Sequence, residues 1–599
     1  MPHTTTIVAT VVGLLMGIAM AQPNECDATD VWIFSGQSNM QKIGGEAQRA
    51  VGEVVESHGR EYQPIYVAAP GKPIEAWLDS KHKDYRLWQS LQQQIAEAKA
   101  AGHRFQGFVW YQGESNVGSG AGKYQRQLTE LVARVRKETG QPRLPVIVVQ
   151  LAAATSYDGK DWAVATIREA QRRFARDDDN AAVVAAIDAE IGDYTVHLGN
   201  EGAKVVASRV AAAADRLAYS NADARWGPQF QRVYFADKQQ RAVIVEFSDV
   251  AGELKLGEGW LAGFGASVKS KLPKELSELD NTESLGELRN DFIYPIGGTA
   301  VGDNRLALFF EESLSEDALL SYAAARNAQY GPHRRWGLEF GGLTDGSGHH
   351  APAFVLVPID AANRIVAIKS AEAASKIAES WEQIAVNCIG RYPAAITTRD
   401  AEAGIADGHW RQSHWNPASS GLVPNLYDRE GRVTGVHFRT GVWYMSPYFR
   451  EIENADDALM ASWCKNKTHS FSGLQANEEY DMAVYLLQGP PKKNDSDFDT
   501  PPDYRAVRVQ VLHVPAGKKP KDASIVSERT IQVPARGDFE RYQFAGEANG
   551  FRGNVLVMEN IPADKRGEFT FVVEVGQQKN GRLRWGETTL AGVQLRKVE

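Results

Sequence analysis

From Asp30 to about Ser220, short apolar runs alternate with stretches in which apolar residues recur every three or four positions. The runs cover 31–34, 65–68, 108–110, 146–151 and 182–187, and each is short and apolar at consecutive positions, as strands buried on both faces are. Between them, Leu87, Leu91, Ile95 and Ala98 lead to Gly102, while Tyr124, Leu128, Leu131 and Val135 lead to Gly140. Both series mark one face of a helix closed by a glycine. Helical spacing also covers 164–174 and 203–217. Such alternation predicts a parallel five-stranded sheet with right-handed crossovers and helices on both faces.

After Asn221 the texture changes to short alternating runs broken by Gly, Asp and Pro, which predicts mostly antiparallel β structure. Stretches 242–247, 305–310 and 354–357 read as strands of a small β-rich domain. Further on, Val507, Val509 and Val511 alternate with Arg508 and Gln510, and Phe569, Phe571, Val573 and Val575 repeat the pattern. A β-sandwich of jelly-roll type is expected there. Positions 371–384 interrupt it with helical spacing, and 488–502, rich in Pro, Asp and Lys, reads as a long surface loop. The expected division is therefore an α/β domain over 28–220, a small β-rich domain over 221–362 and a sandwich over 363–599.

Composition narrows the function classes. A chain of 599 residues exceeds one core and accommodates about three domains at about 100–200 residues each. With 66 basic and 75 acidic residues its net charge is −9, and no basic block is long enough to follow a phosphate backbone. Nucleic acid is not an expected partner. Residues 7–21 form an apolar run ending in Ala19-Met20-Ala21, a small-x-small pattern suited to cleavage before Gln22. Residues 1–21 are thus expected to be a signal peptide of a secreted or periplasmic chain. Because no Lys or Arg precedes the run, an uncleaved anchor is the other reading. No later stretch approaches the ~18 apolar residues of a spanning helix, so the mature chain is expected to have no membrane span. Cys26, Cys388 and Cys464 make no disulfide framework, and their spacing leaves open whether Cys388 and Cys464 pair or lie as buried thiols.

Chemistry concentrates in the loops that follow the strands. Gly36-Gln37-Ser38-Asn39-Met40 follows the first run, Gly71 to Trp77 the second, Gln112-Gly113-Glu114-Ser115-Asn116 the third, and Asp188 to His197 the last. In a doubly wound sheet these loops share one edge, where ligands bind. A serine hydroxyl is a poor nucleophile until a base takes its proton, and the oxyanion formed by its attack needs donors already in place. Ser38, Gly71, Gln112 or Asn116, and His197 supply those residue types.

At these residues the chain resembles the SGNH hydrolase superfamily, and within it the sialate O-acetylesterase-like carbohydrate esterases. Matching pieces occur in the right order: Gly36 to Met40, Gly71 with Pro73 to Trp77, Trp110 to Asn116, and His197 followed by Gly202. A looser likeness includes Tyr322 and positions 345–354. The resemblance implies a flavodoxin-like SGNH fold and a serine carboxylic-ester hydrolase that removes acetyl groups from a carbohydrate, with no metal and no organic cofactor. It implies Ser38 as nucleophile and His197 as general base. The oxyanion hole would comprise the backbone N–H groups of Ser38 and Gly71 and the Gln112 amide, with Asn116 as the second choice of side chain. Gln37, Glu114 and Trp77 would meet the substrate; by their residue types alone, Glu114 reads rather as a brace of its loop through backbone N–H groups, and Trp77 equally as closing a loop over the sheet.

Two departures from the pattern stand out. An aspartate commonly lies two or three residues before the histidine, but Tyr194 and Thr195 hold those places and Asp193 lies four residues away. Either Asp193 orients His197, or a Ser-His dyad uses a carboxylate from elsewhere, such as Glu114 or Glu190. Pro70 and Lys72 flank Gly71 where the family prefers glycine and a small hydroxyl residue. Other features have plainer readings: Glu75 either closes a loop or meets substrate, and His349-His350 reads as a solvated pair in a glycine-rich turn. His409, Trp410, His414, Trp415, Trp443 and Tyr444 are core aromatics or platforms for sugar rings. The alternative from another class is a carbohydrate-binding protein whose esterase-like domain is inactive.

Overall fold

A computed structural model describes residues 29–599 apart from 119, 154–160, 193–195, 257–262, 269–291, 325–341, 362–379, 389–409, 411–414, 419–420, 424–425, 441–463, 466–467, 488–503, 535–544, 546–553, 580–581, 588 and 599. The expected signal peptide, the loop at 488–502, Cys26, His409, His414, Trp443 and Tyr444 lie outside the described residues, as does Asp193.

Five strands, β1 (Asp30–Gly36), β2 (Tyr62–Ala68), β3 (Arg104–Tyr111), β4 (Val146–Val149) and β5 (Ala181–Val184), form a sheet in the order β2-β1-β3-β4-β5. All neighbouring pairs are parallel. This is the flavodoxin-like strand order, which reverses at β1. The long helices are α1 (Ser38–Ser57), α3 (Arg86–Ala100), α4 (Tyr124–Thr139), α5 (Asp161–Asp177) and α6 (Asn200–Tyr219), with α2 (Glu75–Leu78) a single turn. Alternation along β1 divides the core: Val31 and Ile33 pack with α3, α4 and α5, while Trp32 and Phe34 pack with α1 and α6. All four are fully buried, as a central strand covered on both faces requires. The runs expected over 146–151 and 182–187 end earlier as strands, because residues 150–153 and 185–187 turn out at the carboxyl edge.

Beyond α6 the described chain is β structure. One four-stranded sheet has the order Gly297–Ala300, Arg305–Phe309, Ala242–Ser248, Gln229–Phe235, and a three-stranded sheet joins Phe354–Pro358, Ala318–Tyr322 and Phe264–Val268. Further along, a six-stranded and a seven-stranded sheet enclose a common apolar core that includes Val386, Phe471, Val484, Val509, Phe571 and Val593. The helical reading of 371–384 is corrected at its described end, since Gln383–Cys388 is a strand with Ile384 and Val386 inside that core. Its partner strand at the carboxyl terminus, Thr589–Lys597, supplied the competing β-sheet context. Cys388 is buried there. Trp410 is 6% exposed beneath the Arg596 guanidinium, and Trp415 packs edge-on against Tyr485, so both belong to the interior.

The small β sheets are bolted to the carboxyl edge of the parallel sheet. Gln150, just past β4, donates to the Ala353 carbonyl at 2.9 Å and accepts from the Ala353 N–H at 2.7 Å. Arg168 of α5 donates to the Ala323 carbonyl, and Glu169 accepts from the Val355 N–H. Among the described residues no helix is long and apolar enough to cross a membrane.

Candidate active site

β1 ends at Gly36, where φ is +153° and a Cβ would lie 2.1 Å from the Tyr111 carbonyl oxygen. Only glycine fits this close approach of two strand ends. The turn makes Gln37 the N-cap of α1 and Ser38 its first helical residue, so Ser38 is not a capping serine. Its hydroxyl stands at the positive end of a helix dipole, beside N–H groups that have no partner within the helix.

His197 reaches the same place from the loop between β5 and α6. Residues 190–192 and 196–199 run side by side: Ile191 bridges Leu198, Gly192 N–H donates to His197 O at 2.8 Å, and Gly199 N–H donates to Glu190 O at 2.9 Å. A Cβ on Gly192 would sit 2.7 Å from Gly199 Cα, so the two stretches approach this closely only with small residues. His197 Nε2 lies 2.9 Å from Ser38 Oγ. With the ring proton on Nδ1, Nε2 accepts from the hydroxyl, the contact that general-base activation requires.

A buried polar web ties the remaining loops together. Gln112 Nε2 lies 2.7 Å from Asn116 Oδ1, 3.0 Å from Gln37 Oε1 and 3.2 Å from the Lys72 carbonyl, three acceptors for two protons. Gln37 Oε1 also accepts from Ser115 N–H at 3.1 Å. Asn116 accepts from Ile74 N–H and donates through Nδ2 to Glu75 Oε2 at 3.0 Å, so this expected oxyanion donor is engaged with Glu75. The other Glu75 oxygen accepts from Gln127, which gives Glu75 the loop-closing role. Gly71, with φ +65°, forms an exposed turn next to Lys72, whose ammonium pairs with Asp84 at 2.9 Å.

The residues expected to meet substrate need correction. Gln37, Glu114 and Trp77 are 2%, 5% and 0% exposed. Trp77 stands edge-on against Trp110, and Gln37 and Glu114 join loops to one another. Polar or aromatic residues after a strand can brace a loop as readily as face a ligand, and here the buried arrangement does the former. Burial raises the Glu114 carboxyl above its ordinary range, against the opposing effects of the Asn39 amide, its own backbone N–H and the His197 charge. Glu190 Oε2 accepts from Glu201 N–H at the start of α6 at 3.2 Å.

The reading of His349-His350 as a solvated pair is also overturned. His350 is 3% exposed and its Nε2 lies 3.6 Å from Asp188, which is itself gripped by Arg209 at 2.6 and 2.8 Å. His349 follows a turn in which Asp345 accepts from the N–H groups of Ser347 and His349. Tyr322 accepts from Leu343 N–H deep in the same packing. Among the described residues, no three His, Cys, Asp or Glu side chains gather as a metal site.

One residue with a part in this geometry escaped the reading of the motif. Asn39 is fully buried and contacts both neighbours of His197: Nδ2 donates to Val196 O at 2.9 Å and Oδ1 accepts from Leu198 N–H at 3.1 Å. The only sequence signal was its place directly after Ser38.

Residues 54–216 match the model of the family described as carbohydrate esterase, sialic acid-specific acetylesterase. This segment is similar to that family. A probable carbohydrate esterase of Arabidopsis thaliana is 29% identical to the esterase-like chain over 106 residues, 17% of this chain. The chain spans 37% of the length of that curated relative. Among solved structures, a carbohydrate acetylesterase from Xanthomonas citri shares 20% identity, with 54% of this chain and 80% of that one covered at a TM-score of 0.40. A lipase/acylhydrolase from Enterococcus faecalis shares 14% identity, with 32% and 97% covered at a TM-score of 0.22.

Proposed function

We propose that this protein is a secreted or periplasmic carbohydrate O-acetylesterase that works through an acetyl-enzyme on Ser38. The observation that carries the reading is the 2.9 Å contact between Ser38 Oγ and His197 Nε2 at the carboxyl edge of the sheet. His197 takes the hydroxyl proton as Ser38 attacks the ester carbonyl, then gives it to the departing sugar hydroxyl. Water, deprotonated by the same imidazole, releases acetate and restores Ser38. The oxyanion is stabilised by the Ser38 and Gly71 N–H groups at the start of α1 and in the neighbouring turn, and by the Gln112 amide once it releases a proton from one of its three acceptors. Asp193 is the proposed orienting acid. It lies four residues before His197, where a related aspartate commonly lies two or three before.

Export rests on the apolar run at 7–21 and its Ala19-Met20-Ala21 end. The two large C-terminal sheets suit a polymeric substrate, because a second domain can hold a long chain beside the esterase edge. Acetate release from a panel of O-acetylated glycans, sialosides, xylan and xyloglucan among them, tests the reading. Release by the wild-type chain and none by Ser38→Ala is the expected outcome. Glycan binding without release by either chain would favour a binding protein with an inactive esterase-like domain.

A further inference from the structure

We infer that Asn39 is the positioning residue that fixes the His197 imidazole against Ser38, an inference that rests on the esterase reading and assigns how its base is held. The backbone on either side of His197 pairs within its own segment at Gly192–His197 and Glu190–Gly199, and its side chain meets α1 at Ser38. Asn39 adds a backbone tie between that segment and α1. Its single amide pairs with backbone on both sides of the histidine, accepting from Leu198 N–H and donating to Val196 O, as a neighbouring strand would. Nδ2 is also 2.5 Å from Glu114 Oε1, on the turn Glu114–Asn116 after β3. Three segments that are distant in sequence thus meet at one buried amide.

Its chain position matters as much as its contacts. Asn39 follows Ser38 in the first turn of α1, and consecutive Cα atoms are about 3.8 Å apart whatever else moves. Whatever holds that segment to Asn39 therefore holds the base to the nucleophile through one rigid peptide unit. A side chain offering an acceptor and two protons at this reach is required, which an ionised aspartate or a leucine does not supply. Glu114 fixes which way the amide faces, because only Nδ2 can donate to its carboxylate.

The test uses the full chain and an aryl acetate, with rates corrected for the folded fraction measured by circular dichroism. Asn39→Ala is expected to lower kcat about 100-fold with KM little changed, the loss typical of about 1 Å of misplacement at a reacting centre. Asn39→Asp sets a second carboxylate against Glu114, and the pair holds a shared proton only on the acid side. Its rate relative to wild type is expected to fall as pH rises. The reciprocal variant Asn39→Asp with Glu114→Gln restores a donor–acceptor pair and is expected to remove that alkaline fall. Folded Asn39→Ala and Asn39→Asp chains with wild-type kcat and pH profile would overturn the inference while leaving the esterase reading intact. A wild-type chain without Ser38-dependent hydrolysis would instead overturn the esterase reading, and this inference with it.

Discussion

Replacing His197 with alanine is expected to lower kcat for aryl acetate hydrolysis by about 10⁵-fold or more, the scale on which a nucleophile–base pair fails when either member is removed. Ser38→Ala should lose about as much, and the double variant no more than either alone. This non-additivity follows from the geometry: with Oγ and Nε2 at 2.9 Å, each atom's contribution to acylation exists only through the other. Residual hydrolysis then reflects whatever the N–H groups at the start of α1 and the Gly71 turn still stabilise. Steady-state rates of the three variants against wild type measure it. Losses that multiply in the double variant would mean that the two residues act independently.

Asp188→Ala is expected to destabilise the chain by about 3–5 kcal/mol, because it leaves the Arg209 guanidinium buried without its counter-charge. The Asp188 side chain is fully buried just beyond β5, bound at both oxygens by Arg209, which also donates to Ala185 O at 2.9 Å. His350, from the small β sheets, faces the same carboxylate, so the loss falls where those sheets meet the parallel sheet. Burial by itself would raise the Asp188 carboxyl, but the charges of Arg209 and His350 outweigh it and hold the group well below the ordinary range. The stabilisation is therefore present above the unfolded carboxyl value, about pH 4, and is lost as pH falls below it. Urea unfolding of wild type and variant at neutral and acid pH should show a gap that narrows on acidification. A gap that stays constant would assign the loss to packing alone.

The parallel sheet was legible because strands covered on both faces must be apolar at nearly every position, and the five runs say so locally. Helix α1 was harder to read: Met40, Ile43, Ala47, Val51 and Val55 form its buried stripe, but Gly44, Gly45 and Gly52 disguise it. Gly44 and Gly52 are there because the rings of Tyr66 and Tyr62 lie where a Cβ would be, a tertiary reason with no local sign. Within the site, the order of glycine-bearing loops was enough to bring Ser38 and His197 together. The role of Asn39 was not legible, since its partners include backbone atoms 157 and 159 positions away, which carry no side-chain signature. His350 was misread for the same reason, its partner Asp188 lying far back in the chain. Gln37 and Trp77 show the limit of reading residue type alone, because the same side chains serve as braces or as ligand contacts according to burial.

The proposed covalent role of Ser38 is tested by acid-quenching the chain during turnover of an aryl acetate, a substrate whose good leaving group lets an acyl-enzyme accumulate, and weighing its peptides. One acetyl group on the peptide containing Ser38, absent from Ser38→Ala, is the expected result. Acetate release that continues in Ser38→Ala, or a wild-type Ser38 that stays unmodified through turnover, would contradict it.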